Sequence, residues 1–467
     1  MRSAKYVDMC SGPVLRKMIV FTLPIMFSGL FQLLFNATDI IVVGRFAGDN
    51  ALAAVGSNTA LINLMTNLFI GISIGANVVA ARYCGAKNYS ELNRTVHTSM
   101  LLSVISGFLL MAAGLLFAEQ ILGLMSTPES ILGMASDYLR LYFCGMPFMM
   151  IYNFGNALLR AAGDTRRPLI YLICGGVVNV LLDLLFVIAL DMSAAGVGLA
   201  TAISQGVSAA LMVRCLMREK DENGLKLRLK NLRIHKDKLL MILKIGLPAG
   251  FQGTVFSLSN VVIQSSINLF GEAVIAGNSA AASIEGFVYM AMNSCYQSTN
   301  IGAGKYERIN KILRCGLLCV VAVWAILGLG VAMTFSRPLL SIYTSGDEAI
   351  NAGVHRMMYV CGTYFLCGIM DVMVGSLRGM GYSVTPMIVS LLGACGLRLV
   401  WLGTVFQMEQ FHTPDTVYLS YPVSWVITVA AHVICFFICR RRLKNAGEGS
   451  KKGPAPENGK RSGGAVS

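Results

Sequence analysis

The sequence predicts an all-α integral membrane protein whose twelve transmembrane helices form two six-helix bundles around a V-shaped central cleft. Three observations predict this fold class: apolar runs long enough to cross a bilayer, basic residues confined almost entirely to alternate loops, and landmarks of the first half that recur in the second. Since each half has an even number of spans, both halves enter the membrane in the same orientation. A pseudo-two-fold axis along the membrane normal should therefore relate the two bundles.

The apolar runs define the spans. Hydrophobic residues make up 55% of the 467 residues and charged residues only 13%, whereas soluble domains carry roughly 25% charged residues. Because a helix needs about 20 mostly apolar residues to cross the hydrocarbon core, each long run is interpreted as one span. The predicted spans are 14–43, 52–81, 95–118, 135–159, 168–190 and 194–217 in the first half, and 239–268, 273–298, 312–334, 350–377, 385–408 and 416–439 in the second.

The basic residues predict the orientation in the membrane. If the amino terminus lies inside, only Arg45 and Arg337 fall in outer loops, and nearly all other Lys and Arg fall in inner segments. Inner loops carry an excess of Lys and Arg, so we expect both termini in the cytoplasm of a cell whose plasma (inner) membrane holds the protein. The net charge of +14 then reflects topology and not nucleic-acid binding. The predicted parts are a cytoplasmic segment (1–13), an N-lobe (14–217), a basic cytoplasmic linker (218–238), a C-lobe (239–440) and a disordered basic cytoplasmic tail (441–467).

An internal repeat connects the two halves. A parallel repeat of this kind builds a central cleft between two bundles, and rocking of one bundle against the other gives alternating access. The match is imperfect at span 8, which runs several residues short of span 2, and we interpret the difference as a deletion. The matched residues are Pro24 with Pro248, Gly145 with Gly362, Arg160 with Arg378, Gly163 with Gly381, and Pro168 with Pro386.

Polar side chains inside the first and fifth spans indicate a functional site, because a carboxylate or amide in hydrocarbon is costly unless it is paired or faces water. Gln32, Asn36 and Asp39 lie at i, i+4 and i+7 and share one helix face. Asn179 and Asp183 are i,i+4 neighbours in the fifth span. Two carboxylates among amide and hydroxyl oxygens suit Na⁺. Two neighbouring carboxylates in a low dielectric equally favour binding of a proton, so both ions stay open.

Three further polar residues belong to the first half. Asn153 and Asn156 are i,i+3 neighbours in the fourth span, and Thr201 lies near the start of the sixth. A functional role near the two carboxylates is one interpretation. Hydrogen bonding between neighbouring helices is the alternative for each of the three.

The second half offers Glu285, Asp371 and Arg398 as polar residues within spans. Asp371 occupies the repeat position of Asn153, and Arg398 is interpreted as the only basic residue deep in a span. We interpret Asp371 and Arg398 as a buried ion pair that locks the second bundle, with a substrate contact as the alternative.

Enzyme chemistry is not indicated. The five histidines are scattered, no CxxC pair occurs among the thirteen cysteines, and the chain has no Walker A motif. We therefore expect neither an enzyme nor a bound cofactor, apart from a coupling ion.

The ordered set of motifs resembles the multidrug and toxic compound extrusion (MATE) transporters, and within them the DNA-damage-inducible-F-like subgroup. The resemblance covers nearly the whole chain, 15–440. It rests on Pro24 in span 1, Ala53-Ala54-Val55-Gly56 at the start of span 2, Gly85-Ala86 after span 2, and the stretch from Asn156 to Pro168.

The resemblance implies a cation site in the N-lobe, with Na⁺ or H⁺ as its ion. Phe35 stands where the subgroup's network has a tyrosine, so one hydrogen bond should be missing. The glutamate used by the sodium-coupled sister branch on helix 7 has no counterpart near Phe256. The implied cation ligands are Asp39, Asn179, Asp183 and Thr201. The implied network is Gln32, Asn153 and Asn156. We assign Asn36, which shares a face of span 1 with Gln32, to the same cation-site network or to the substrate cleft.

The sequence thus predicts a secondary antiporter that exports drugs or toxic amphipathic compounds, often cationic, in exchange for H⁺ or Na⁺ by alternating access. Its expected partners are small organic substrates and the lipid bilayer, and we expect a monomer. The nearest alternative is a lipid-linked precursor flippase of the same superfamily, which would need helices beyond twelve and a strongly basic cavity. Two further classes of membrane protein stay open at this point, a membrane-embedded enzyme and a passive channel.

Overall fold

The computed structural model describes residues 14–124, 129–293, 306–344 and 346–451, which are almost entirely helical and contain no β-strand. We number the helices α1 to α12 by span and treat segments joined at a bend as one helix. The N-lobe comprises α1 (Val14–Phe46), α2 (Asp49–Gly85), α3 (Tyr89–Leu124), α4 (Glu129–Cys144 and Met146–Ala161), α5 (Arg166–Asp183 with a π-helical segment, Leu184–Ala189) and α6 (Ser193–Met217).

The C-lobe repeats this order of six helices. Short helical turns lie in the linker (Asp221–Asn223 and Leu229–Asn231) and in the loops of the C-lobe (Asn268–Phe270, Ser336–Leu340, Val405–Gln407 and Glu409–Phe411). The main helices are α7 (Lys236–Ile267), α8 (Glu272–Met292), α9 (Tyr306–Val323 with a π-helical segment, Trp324–Met333), α10 (Asp347–Val360 and Tyr364–Gly379), α11 (Val384–Ser390, a π-helical segment Leu391–Gly396, and Leu397–Gly403) and α12 (Pro414–Lys451).

The predicted spans coincide with these helices. Within the described residues, nine helices are long and apolar enough to cross a membrane alone, and the two segments of α10, bent by 47°, qualify together. The bent α4 and the shorter α8 complete the twelve. The inner end of span 8, where the deletion was predicted, lies outside the described residues, as does segment 1–13. The last helix, α12, continues to Lys451, beyond residue 440 where the C-lobe was predicted to end.

The internal repeat is visible in the backbone. The turns after α1 and α7 place Gly48 and Gly271 at φ values of 85° and 88°, and the loops after α4 and α10 place Gly163 and Gly381 at 91° and 96°. Residues with a Cβ rarely adopt such angles, so both halves need glycine at the same turns. Further matched features are the prolines inside α1 and α7 (Pro24 and Pro248) and the bends of α4 and α10 (at Gly145 and Gly362).

The two lobes are in direct backbone contact where α2 crosses α7. A Cβ atom on Gly71 would overlap the backbone of Gly250, and one on Gly75 would overlap the backbone near Gly246. Small residues at such a crossing allow two membrane helices to approach closely. Ile242 and Ile245 of α7 are accordingly part of the N-lobe's buried core.

Polar contacts between the lobes lie on the side of the molecule that carries the linker. Lys238 of α7 forms an ion pair with Glu91 and donates a hydrogen bond of 2.7 Å to Tyr83 Oη. Within the described part of the chain, the inter-lobe hydrogen bond farthest from the linker joins Asn67 Nδ2 to Ser257 Oγ, at 2.9 Å. The cleft is thus closed on the linker side and widens toward the opposite side.

The linker is bound along α3. Asn93 Nδ2 donates hydrogen bonds to the carbonyl oxygens of Gly224 and Lys226, at 3.2 and 2.9 Å. The backbone N–H of Arg228 donates to His97 Nε2 at 3.2 Å. The predicted solvated linker is therefore a docked segment, because α3 supplies side chains that bond to the linker backbone.

Candidate functional site

Three helices of the N-lobe carry the four predicted cation ligands. We call these ligands, Asp39, Asn179, Asp183 and Thr201, the N-lobe polar cluster. Asp39 of α1 and Asp183 of α5 come together, with their carboxyl groups within hydrogen-bonding reach of each other. Asn179 lies one turn before Asp183, and both side chains are buried. Thr201 lies on α6, which packs against α5 and α1.

Each member of the N-lobe polar cluster has a buried polar atom without a hydrogen-bond partner in the described residues. A buried donor or acceptor left unpaired costs about 1–3 kcal/mol. A concentration of such atoms at one place is suited to a bound ion or water. The atoms are Asp39 Oδ1, Asn179 Nδ2, both carboxylate oxygens of Asp183, and Thr201 Oγ1.

The two carboxylates face each other without a donor between them. Ionised carboxylates only accept hydrogen bonds, so Asp39 and Asp183 repel unless positive charge lies between them. Among the described residues, neither forms an ion pair with a basic side chain. The oxygen-rich donor set fits a proton or a hard cation such as Na⁺, and its chemistry does not fit a soft transition metal.

The local backbone brings α1 against α5 at this point. A Cβ atom on Gly176 would overlap the ring of Phe35, so the missing side chain lets the ring of α1 lie directly on α5. Phe35 therefore makes an apolar contact where the resemblance implies a hydrogen bond. The π-helical segment of α5 begins at Leu184, immediately after Asp183, and π-helical turns inside α-helices occur frequently at functional sites.

The predicted network residues form no hydrogen bond with the carboxylate pair within the described part of the chain. Gln32 and Asn36 are exposed on α1. Asn153 Nδ2 donates to the Met149 carbonyl of its own helix at 2.9 Å, and Asn156 is half-buried. The segment of α4 that carries these asparagines packs mainly on α2, α3 and α6.

Two tyrosines beside the carboxylate pair were missed from the sequence. Tyr138 and Tyr142 of α4 interact electrostatically with Asp39, and their ring centroids are 5.8 Å apart. Their i,i+4 spacing places them on one face of α4. That spacing was the available signal, but it is equally typical of core packing.

A second polar site lies inside the C-lobe. A cavity of about 640 Å³ is lined by α7, α8, α10, α11 and α12, and α2 of the N-lobe forms part of its wall. We call it the C-lobe cavity. Its charged lining residues are Glu285, Arg356, Asp371, Arg378 and Arg398.

The predicted ion pair between Asp371 and Arg398 is wrong. Within the described residues these side chains are not paired, and the buried ion pair joins Arg356 to Glu285, with N–O distances of 2.8 and 3.1 Å. Arg356 also donates to Asn278 Oδ1 at 2.7 Å. The physical reason is packing, because the segment of α10 that carries Arg356 lies against α8, which carries Glu285.

Arg398 is also not the only basic residue deep in a span, since Arg356 and Arg378 line the same cavity. Arg378 donates to Gln252 Oε1 at 2.7 Å and faces Asp371. Arg398 Nε donates to Ser424 Oγ at 2.8 Å. These three arginines make the cavity wall more basic than the sequence indicated.

Comparison with known proteins decides the family. The MatE family model matches residues 24–185 and 248–402, which is most of both lobes. The chain belongs to the MATE family. Members of this family are membrane transporters and not enzymes, and the twelve-helix, two-lobe fold predicted from the sequence is confirmed.

Three similar proteins illustrate the range of this MATE protein's relatives. It is 26% identical to the probable multidrug resistance protein YoeA of Bacillus subtilis, over 89% of this chain and 92% of that protein. It is 22% identical to the FAD transporter of Shewanella oneidensis, over 92% and 95% of the two chains. A solved transporter of the MOP superfamily from Pyrococcus furiosus, described as having a binding pocket of reverse polarity, has 19% identity and a TM-score of 0.84, with 95% and 99% coverage. The chain is thus a multi-pass transporter from a family of small-molecule exporters.

Proposed function

We propose that this MATE protein is an antiporter that exports amphipathic organic compounds in exchange for H⁺ or Na⁺ bound at Asp39, Asn179, Asp183 and Thr201. The observation that carries the proposal is the carboxylate pair, because two buried acceptors face each other without a donor between them. A proton shared by the pair, or a cation among its oxygens, would remove the repulsion. Thr201 Oγ1 would supply a further, uncharged oxygen ligand for the proton or the cation.

Cation binding at the N-lobe polar cluster would affect the whole of α1. A cation held by Asp39 and Asp183 joins α1 to α5, and its release loosens that contact. Pro24 lies in the first half of α1 and interrupts its hydrogen bonding, and proline is a usual cause of helix bending. On the linker side of Pro24, Met18 and Phe21 pack on Ile312 of α9. A change at Asp39 can therefore reach the lobe interface through a single helix.

The positions of the inter-lobe contacts support alternating access. The positive-inside pattern assigns the linker side to the cytoplasm, with both termini there and the protein in the plasma membrane. Closure at the α2–α7 crossing then corresponds to a state open to the outside. An inward cation gradient, worth about 2.3 kcal/mol per charge for each 100 mV, would drive the return of the lobes with the cation bound.

The flippase alternative is less well supported. Such a protein would hold a pyrophosphate in a strongly basic cavity, whereas carboxylates offset two of the three arginines in the C-lobe cavity. The names of several relatives also favour export of small organic compounds.

Transport by purified protein in liposomes tests the proposal, with Na⁺ and pH gradients imposed separately to identify the ion. We expect Asp39→Asn and Asp183→Asn each to lower gradient-driven export at least ten-fold. Asp137→Asn is the matched control, since Asp137 is an exposed carboxylate of the same lobe. Export near the wild-type rate in both cluster variants would remove the site assignment, and export without either gradient would contradict antiport.

A further inference from the structure

We propose that the C-lobe cavity binds the carboxylate of a flat aromatic substrate, with Arg398 as the residue that anchors the anion. This inference rests on the proposed function, since it names the class of compound that the exporter carries. It differs from the expectation of purely cationic substrates. Aromatic carboxylates, whether anionic or zwitterionic, are the compounds that such a site would recognise.

The charges on the cavity wall do not balance. Its three arginines outnumber its two carboxylates, and each carboxylate already interacts with an arginine other than Arg398. Glu285 is paired with Arg356 through two N–O contacts, and Asp371 faces Arg378 and interacts with Tyr289. Arg398 is the arginine without a carboxylate partner among the described residues. A buried ion without a counter-charge is destabilising by several kcal/mol, so an anionic ligand would be stabilised here.

The orientation of Arg398 is fixed by α12. Its Nε donates to Ser424, and its guanidinium lies 4.2 Å from the ring centroid of Tyr421 and 5.4 Å from that of Trp425. Only 4% of the residue is exposed, yet Nη2 has no hydrogen-bond partner in the described part of the chain. A stacked guanidinium whose Nη2 is unpaired is suited to donate a charge-assisted hydrogen bond to a carboxylate oxygen.

Four aromatic rings extend from Arg398 along the cavity and form what we call the aromatic wall. Tyr421 and Trp425 are 5.6 Å apart between centroids, Trp425 and Tyr364 are 5.5 Å apart, and Tyr364 and Tyr289 are 6.2 Å apart. All four residues line the cavity. Such a wall favours a flat ring system, which gains stacking energy in addition to burial. The cavity volume also lies within the roughly 300–1,000 Å³ typical of sites for drug-sized ligands.

The cavity reaches the interface between the lobes. Asn67, Ile70, Gly71 and Ile74 of α2 form the part of its wall that belongs to the N-lobe. The Asn67–Ser257 hydrogen bond lies at this boundary. Because two lobes share the wall, movement of one lobe against the other would change the cavity, as export by alternating access requires.

A matched pair of dyes tests the inference. Rhodamine 110 carries a carboxylate, and rhodamine 123 is its methyl ester, so the two share one flat ring system and differ in that charge. Binding is measured by fluorescence anisotropy with the full-length protein in nanodiscs of phosphatidylcholine, which offers no anionic headgroup. We expect the wild-type protein to bind rhodamine 110 at least ten-fold more tightly than rhodamine 123.

Two variants of Arg398 test whether this residue causes the preference for rhodamine 110. Arg398→Gln should weaken rhodamine 110 binding at least ten-fold and change rhodamine 123 binding less than two-fold, and Arg398→Lys should restore part of the loss. Arg337→Gln is the control. Arg337 belongs to the same lobe, lies outside the cavity and donates a hydrogen bond to Asn351. The wild-type comparison needs no substitution, so it remains decisive if Arg398→Gln fails to fold.

Three results would overturn the inference: equal affinity of the wild-type protein for the two dyes, equal loss of both dyes in Arg398→Gln, or displacement of rhodamine 110 by phosphatidylglycerol in the nanodisc. The last result would assign the site to a lipid headgroup. Transport separates this inference from the proposed function. Arg398-dependent binding without export in liposomes would contradict the export function alone, and export without Arg398-dependent binding would contradict the anion site alone.

Discussion

The two lobes share one backbone plan but bury charge of opposite sign at related places. In the N-lobe, Asp183 lies immediately before the π-helical segment of α5 and faces Asp39, with no basic residue paired to either among the described residues. In the C-lobe, Arg398 lies two residues after the π-helical segment of α11, in a cavity with two further arginines. The repeat conserves turns and bends, whereas the buried charges on the fifth helix of each lobe differ. We interpret this divergence as a division of roles, with the coupling cation in one lobe and the substrate's anionic group in the other.

The largest effect on stability is expected from the buried ion pair of the C-lobe. Glu285→Ala leaves Arg356 buried without its carboxylate, which should lower the free energy of unfolding by about 3–5 kcal/mol. The double variant Glu285→Met with Arg356→Met should recover most of the loss. Thermal unfolding of the purified protein checks both.

Removal of a buried carboxylate should have the opposite effect on stability in the N-lobe. Asp183→Asn removes one of two facing carboxylates, so we expect an equal or higher unfolding temperature in buffer of neutral pH without Na⁺. A marked loss of stability in Asp183→Asn would mean that the Asp183 carboxylate has a stabilising partner in the folded protein. The proposed difference between the two lobes would then be wrong.

The next effect concerns the contact that joins the lobes. Gly71→Ala places a methyl group where the backbone of Gly250 lies, so the cleft cannot close fully on the linker side. We expect at least a ten-fold loss of export in liposomes. Gly253→Ala is the control, because a Cβ there would lie 3.6 Å from Asn67 Cβ, an ordinary contact. Equal export rates for the two variants would show that close contact of α2 and α7 is not required.

The smallest effect is expected at the linker between the lobes. Burial, together with Arg94 and Arg233, lowers the pKa of His235, and Asp237 opposes them. The neutral ring accepts a hydrogen bond from Arg233 and contacts Thr98 of α3. The stability of the docked linker is therefore fully present above the ordinary histidine pKa of about 6.5 and is lost as the pH falls through the lower folded pKa.

Hydrogen exchange of the linker amides at two pH values, corrected for intrinsic exchange, measures this effect. Protection of residues 224–235 should fall between about pH 7.5 and pH 5.5, and His235→Gln should show a smaller change. Constant protection of the wild-type linker would contradict the role assigned to His235.

The features that could be predicted from the sequence are those that a residue type or a spacing determines directly. Polar residues stand out in apolar runs, so Asp39, Asn179 and Asp183 could be identified from their helical spacing alone. The repeat likewise could be found from glycine and proline, because particular turns need them. Twelve spans follow from length and hydropathy.

Other features depend on geometry that spacing does not determine. The Glu285–Arg356 pair depends on the packing of α10 on α8, and the sequence placed Arg356 near a helix end. The aromatic wall could not be predicted, since tyrosine and tryptophan in membrane helices also face lipid headgroups. The α2–α7 contact did have a signal that was not used: Gly71 and Gly75, like Gly246 and Gly250, follow the small-xxx-small pattern of closely packed membrane helices.

The most direct test of the division of roles is the affinity for rhodamine 110, measured against Na⁺ concentration and pH in the wild-type protein, Asp183→Asn and Arg398→Gln. We expect a cation-dependent affinity in the wild-type protein, an affinity independent of Na⁺ and pH in Asp183→Asn, and weak binding in Arg398→Gln. An Asp183→Asn protein whose affinity still responds to the cation as the wild type does would contradict the assignment of the coupling site to the N-lobe.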